Sequence, residues 1–137
     1  MLLADGSFDS IHFGIEVTPE LHTISSMPDS IWQWVIKSKL LEKKEYIYSD
    51  VGYYILKKIA EKITNQSIET TLGNDFYLPL GLSTLGFNPL KRFSLSQIAP
   101  TENDTLFRKW LIHGWVHDPG AAMMGGIAAH ERGVVAA

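Results

Sequence analysis

The chain has 137 residues, 45% hydrophobic and 20% charged, which sets it among ordinary globular sequences with material for one domain and a modest core. Twelve basic against 15 acidic residues leave a net charge of −3 and no basic stripe, a poor footprint for nucleic acid. No apolar run approaches the roughly 18 residues of a membrane span; Met1-Leu2-Leu3-Ala4, followed at once by Asp5-Gly6, lacks the regions of a signal peptide, and zero cysteines exclude disulfides and thiol chemistry.

In chain order, Ile11, Phe13, Ile15 and Val17 alternate with polar or small neighbours and predict a short strand. Ser26-Met27-Pro28-Asp29 has the form of a helix start, with a capping hydroxyl, a proline in the first turn and an early acid. Ile31, Trp34, Val35 and Leu41 fall near one face, predicting a helix over 28–43 that Lys43-Lys44 would finish against its negative end. Tyr46-Ile47-Tyr48 is β-prone. A second helix is predicted from Asp50 to Thr64, with Val51, Tyr54, Ile55, Ile59 and Ile63 inward and Lys57, Lys58, Glu61 and Lys62 outward. Asn65-Gln66 ends it. Ser67 caps a shorter third helix whose inner face holds Ile68, Thr71, Leu72 and Phe76, and Pro79 and Gly81 stop it.

Periodicity fades over 83–118, which predicts an ordered, mostly irregular stretch with one or two short strands. Phe107, Trp110, Leu111, Trp115 and Val116 argue that it is buried. Pro119–Met124 has room for one helical turn before Gly125-Gly126. The expected class is therefore α+β, predominantly helical, with a long ordered loop and few short strands.

Tyr48-Ser49-Asp50 running into a helix, then "FYLPLGLSTLGFNPL" (76–90) and "IAPTENDTLFRKWLIHGWVHDPGAAMMGG" (98–126), form an ordered set of blocks. Together they resemble the serine beta-lactamase and penicillin-binding-protein-like family, especially its class C and esterase branch. There the phrase is Tyr-Ser-Asn, a helix, a Pro-Leu-Gly turn and a threonine. The set is particularly similar to hydrolase modules that some Bacteroidetes carry fused behind a beta-N-acetylhexosaminidase domain. The resemblance covers 46–126, extends to 26–45, and implies part of a beta-lactamase/transpeptidase-like fold.

The departures are as informative. Every serine was compared with the residue three places on, and none is lysine, so the Ser-x-x-Lys nucleophile of that family is missing, as is its late Lys/His-Thr-Gly strand. After Gly125-Gly126 the family reads V-A/G-G-H-A-G-L-F; here His130 keeps its place but 127–137 otherwise diverge. The expectation is a single partial domain over 1–137, family-like over 26–126, with an altered tail.

In the intact family a serine hydroxyl attacks an amide or ester carbonyl, and the acyl-enzyme is then released to water or another acceptor. The resemblance makes Tyr48 the general-base element and Asp50 its neighbour. A phenol with a pKa of about 10 is protonated at neutral pH unless nearby cations favour the phenolate. The family supplies those cations from the two missing motifs. Asp50 stands where the family often has asparagine; a carboxylate accepts but cannot donate to a substrate carbonyl. The plain alternatives are an aromatic anchoring a helix start for Tyr48, and helix capping for Ser49 and Asp50. Beta-lactams, peptidoglycan stem peptides and simple esters are all substrates within the family, so the substrate-binding residues stay unassigned. The family is commonly periplasmic or exported.

His113, His117, Asp118 and His130 invite a metal reading. His113-Gly-Trp-Val-His117 has the spacing of a zincin helix but glycine in place of its glutamate base. Extended, the two histidines would stand roughly 13 Å apart, too far to share an ion at ligand distances near ~2 Å. Surface or structural histidines are favoured, and no metal or cofactor is expected. The Trp32, Trp34, Trp110, Trp115 set reads as core packing rather than a carbohydrate platform. Beside the hydrolase reading stands a non-catalytic one: a helical binding module that associates into a homo-oligomer through exposed apolar helix faces.

Overall fold

The computed structural model describes residues 13–43 and 45–127. Two short strands, β1 (Ile15–Thr18) and β2 (Leu21–Thr23), pair antiparallel across Pro19-Glu20. Helix α1 (Met27–Lys37) follows, then α2 (Val51–Thr64) and α3 (Ile68–Leu72), which runs into one π-helical turn at Gly73–Tyr77. Two 3₁₀ turns, Pro89–Lys91 and Leu95–Gln97, lead to an antiparallel hairpin of β3 (Pro100–Asp104) and β4 (Trp110–His113). Last comes α4 (Pro119–Met123). The architecture is mixed, four helices with two separate two-stranded sheets among the described residues. The short strands expected within 83–118 are β3 and β4.

The small core is centred on α4. Ile31 of α1, Tyr54 of α2 and Ala121 of α4 are buried together, with Met27, Val35, Val116, Met123 and Met124 packed around them. Strand β1 and helix α1 both pack on α4, and Val17 is buried.

Several expected elements stand where the sequence put them. Helix α2 begins and ends within a residue of its predicted bounds, and Asn65 closes it in the left-handed conformation (φ 54°). Ser67 caps α3 by accepting from the Thr70 amide, and the turn before Gly125 is α4. The strand expected around Ile11–Val17 is β1, shifted to 15–18; Ile11 lies outside the described residues.

Other expectations are corrected. Helix α1 stops at Lys37, not 43, because Ser38 turns extended (ψ 137°) and its hydroxyl takes the Val35 carbonyl at 2.7 Å. Leu41 and Lys43 therefore lie past the helix, and Ser26 makes no side-chain cap. Tyr46-Ile47-Tyr48 is coil, with no neighbouring strand to pair with. Trp34 is 64% exposed rather than packed; the residues that α1 turns to the core are Met27, Ile31 and Val35. Helix α2 is turned relative to expectation: Tyr54 and Lys57 face α1 and α4, while Ile55, Ile59 and Ile63 stay exposed. Phe76, Phe107, Trp110 and Leu111 are also at the surface among the described residues.

Candidate functional site

The predicted site residues sit at the mouth of α2. Ser49 accepts from the Val51 amide at 3.3 Å, a local turn that starts the helix, and the Asp50 carbonyl accepts the first helical amides, from Tyr53 and Tyr54. The Asp50 side chain does not cap. It accepts from the Tyr48 phenol, and that bond, followed by slight burial and the negative charge, raises the phenol above its ordinary value of 10.0. Tyr48 thus holds its proton throughout the neutral range in this chain. Its ring is 62% exposed and tilted against Tyr53, centroids 6.4 Å apart.

The nearest cations on α2 are engaged elsewhere. Lys57 donates to the Ile127 carbonyl at 2.9 Å and lies 3.9 Å from Glu61; Lys58 stands over the Trp32 ring. The structure therefore brings Tyr48 and Asp50 together, and every cause of the shift at the Tyr48 phenol raises it.

Just inside the same helix lies a buried constellation that the sequence reading missed. The Tyr54 hydroxyl donates to Asp118 Oδ2 at 2.5 Å, across 64 residues of chain. Asp118 also caps α4, accepting from Gly120 N at 3.1 Å and Ala121 N at 2.9 Å. Gly120 leaves the space for this: a Cβ there would stand 2.2 Å from the Tyr54 oxygen. The cap was legible, since Asp-Pro-Gly is a helix-start signature. Tyr54, its partner, carried no sequence signal beyond an inward position.

A second buried group adjoins the first. Asp104 organises the 105–109 connection, accepting from the amides of Leu106, Phe107 and Arg108 and from Arg108 Nε at 2.9 Å. The Arg108 guanidinium first, then the Phe107 amide, hold the Asp104 carboxyl far below its ordinary range. Arg108 reaches on to the carbonyls of Val116 and His117, which fixes the approach to Asp118. Asp104, Arg108, Asp118 and Tyr54 so link the hairpin to α2 through the 116–118 backbone.

Of the residues weighed as metal ligands, His113 bonds the Ile98 carbonyl through Nε2, Asp118 accepts from the Gly120 and Ala121 amides at the start of α4, and His130 lies outside the described residues. Among the described residues no three His, Asp or Glu side chains group as a metal site. No helix of the described residues is long and apolar enough to cross a membrane.

Tyr48 and Asp50 do not line the following clefts of the described residues. A cleft of about 460 Å³ lies between the turn at Phe87-Asn88 and the 114–117 segment. One of about 390 Å³ is lined by Glu69, Tyr77, Lys91 and Arg92, and a small one of about 80 Å³ by Trp32, Tyr54 and Lys57.

Over much of its length the chain is similar to bacterial proteins that carry the name "Putative D-alanyl-D-alanine carboxypeptidase". That of Escherichia coli (strain K12) is 40% identical over 98 residues, 63% of this chain and 23% of the relative. That of Salmonella gallinarum (strain 287/91 / NCTC 13346) is 40% identical over 111 residues, 70% of this chain and 26% of the relative. That of Salmonella schwarzengrund (strain CVM19633) is 41% identical over 98 residues. The chain spans about a quarter of the length of these relatives. No family model and no solved structure matches it. The similarity is consistent with a penicillin-binding/beta-lactamase-like family and with hydrolase character.

Proposed function

We propose that this chain is a piece of a D-alanyl-D-alanine peptidase-like serine hydrolase, contributing the tyrosine that serves the nucleophile. The observation that carries the reading is the 40% identity to the carboxypeptidase-named relatives. In this reading the reaction is acyl transfer to a serine hydroxyl, and the substrate is a small amide or ester or a peptidoglycan-like peptide. Tyr48 is the general-base element and Asp50 its hydrogen-bonding neighbour. Neither works alone here. The phenol is protonated, with its pKa raised by Asp50, and no serine of the chain is followed by lysine at the third place. A cation placed opposite Tyr48 by segments like those of the longer relatives would reverse the effect of Asp50 and lower the phenol.

What the chain supplies is the mounting. The Tyr54–Asp118 bond fixes α2 against the start of α4 and Lys57 ties it to the Ile127 carbonyl, so Tyr48, in the coil just before α2, leads into an anchored helix. The exposed Tyr48 ring is then a surface prepared for a partner segment to cover.

The test is a chimera: the E. coli relative with residues 26–126 of this chain in place of its matching segment, incubated with a fluorescent penicillin. The chimera is expected to take a stoichiometric covalent label and the isolated chain none. A label on the isolated chain contradicts the missing nucleophile; a folded chimera without label contradicts the functional match.

A second reading is favoured by one observation. Ile63 is 80% exposed, Leu40 94% and Leu41 68%, with Ile55 and Ile59 half bare between them and the site. Such a surface suits a non-catalytic module that self-associates. Sedimentation at high concentration separates the readings: a dimer supports this one, and a monodisperse monomer removes it.

A further inference from the structure

We propose that the cleft between the Phe87-Asn88 turn and the 114–117 segment is a binding site for a neutral sugar ring. Its volume of about 460 Å³ is within the usual range of small-molecule sites, roughly 300–1,000 Å³. The chemistry of its walls selects the ligand. Phe87 and Trp115 supply aromatic surface, Val116 an aliphatic flank, and Asn88, Thr101 and His117 supply an amide, a hydroxyl and an imidazole. No Lys, Arg, Asp or Glu stands among the described residues of the lining.

A pyranose matches that set. Its C–H face is apolar and lies on aromatic rings, while its rim of hydroxyls needs mixed donors and acceptors of the kind that amides and hydroxyls provide. A peptide with a free carboxylate does not match, because that charge would be desolvated with no cation facing it. Lys91 and Arg92 line the neighbouring cleft instead.

The cleft is held open by the same contacts that fix the fold. Arg108, buried and paired with Asp104, clamps the carbonyls of Val116 and His117 from behind, so this wall has its shape before any ligand arrives. Gly114, at φ +79°, rests on Leu90, where a Cβ would stand 2.7 Å from its Cγ. On the facing wall Asn88 holds a left-handed conformation at φ 48°. A Cβ at Gly126 would stand 2.9 Å from the Asn88 amide oxygen, so the glycine keeps space beside it. Thr101 donates to the Ile112 carbonyl at 3.2 Å, which leaves its oxygen lone pairs to accept from a ligand.

The inference stands on this cleft and not on acyl transfer, so the penicillin result bears on one and not the other. Its test is a titration of the isolated chain with chitotriose and with maltotriose, following the Trp115 indole N–H resonance, assigned by Trp115→Phe. Saturable movement by at least one of these sugars at millimolar concentration is expected. Asn88→Gly, which keeps the left-handed backbone and removes the amide, should weaken that binding about tenfold, the worth of one hydrogen bond. His117→Ala, whose backbone carbonyl still meets Arg108, should weaken it in the same direction. Absence of a saturable shift with both sugars overturns the proposal. So does unchanged affinity in both variants, or a larger response of the same resonance to D-alanyl-D-alanine.

Discussion

Replacing Tyr54 by phenylalanine isolates the contact on which the geometry of α2 depends. The ring stays, so no cavity opens among Ile31, Ala121 and Met124, and only the hydroxyl is lost. That hydroxyl donates to a carboxylate in a buried setting, and bonds to charged groups are worth about 1.5–3 kcal/mol. Asp118 keeps its two amide donors, Gly120 and Ala121, so it is not left orphaned and the loss falls low in that range, about 2 kcal/mol. An unfolding entropy of roughly 2.1 cal/mol/K per residue converts this, for 137 residues, to a fall of about 7 °C in melting temperature. The assay is thermal unfolding by circular dichroism, with Tyr48→Phe as a surface control that should leave the melting temperature unmoved. A Tyr54→Phe protein that melts with the wild type, or a Tyr48→Phe protein that falls as far, would refute the assignment of Tyr54–Asp118 as the lock.

Gly120→Ala should destabilise more than Tyr54→Phe, because its Cβ would stand 2.2 Å from the Tyr54 oxygen, and adding Tyr54→Phe to it should recover part of the loss by removing that atom. Both are read from urea midpoints. Asp104 is held below its unfolded value near 3.8, so its stabilisation is complete above that pH and drains away as the pH falls through the lowered native value. The urea midpoint should be flat from pH 7 to about 5 and decline below about 4, and the decline should be shallower in Asp104→Asn. For Tyr48 the sign is opposite and the site exposed, so the measurement is titration rather than stability. The Tyr48 Cζ carbon signal should titrate above 10, and Asp50→Asn should bring it back toward 10 by removing the acceptor that favours the protonated phenol.

What could be read from the sequence was local. Helix α2 has strong apolar periodicity and an asparagine suited to the left-handed stop, and α3 has a serine cap followed by an early acid. Both appear at their expected places. Which face of α2 turns inward could not be read, because Tyr54/Lys57 and Ile55/Ile59 are competing stripes, and α4, 64 residues away, decides between them. The same holds for Arg108. The sequence reading did not single it out, and it is buried against an aspartate four residues earlier and two carbonyls eight and nine residues later. The end of α1 was misplaced because Ser38 competes for the Val35 carbonyl, a choice that apolar periodicity does not register. At the candidate site the sequence offered the motif Tyr48-Ser49-Asp50, which the structure sets at the start of α2. The direction in which Asp50 moves the phenol required the side-chain geometry.

The central claim, that Tyr48 belongs to the proton transfer of a serine acyl-transfer site, meets its most direct test in the kinetics of the chimera. Release of D-alanine from a D-alanyl-D-alanine-terminated peptide should fall by about 10²–10⁴-fold in Tyr48→Phe, the usual worth of a positioned acid or base. Tyr53→Phe beside it should keep its rate. Equal rates for Tyr48→Phe and the unsubstituted chimera would contradict the claim.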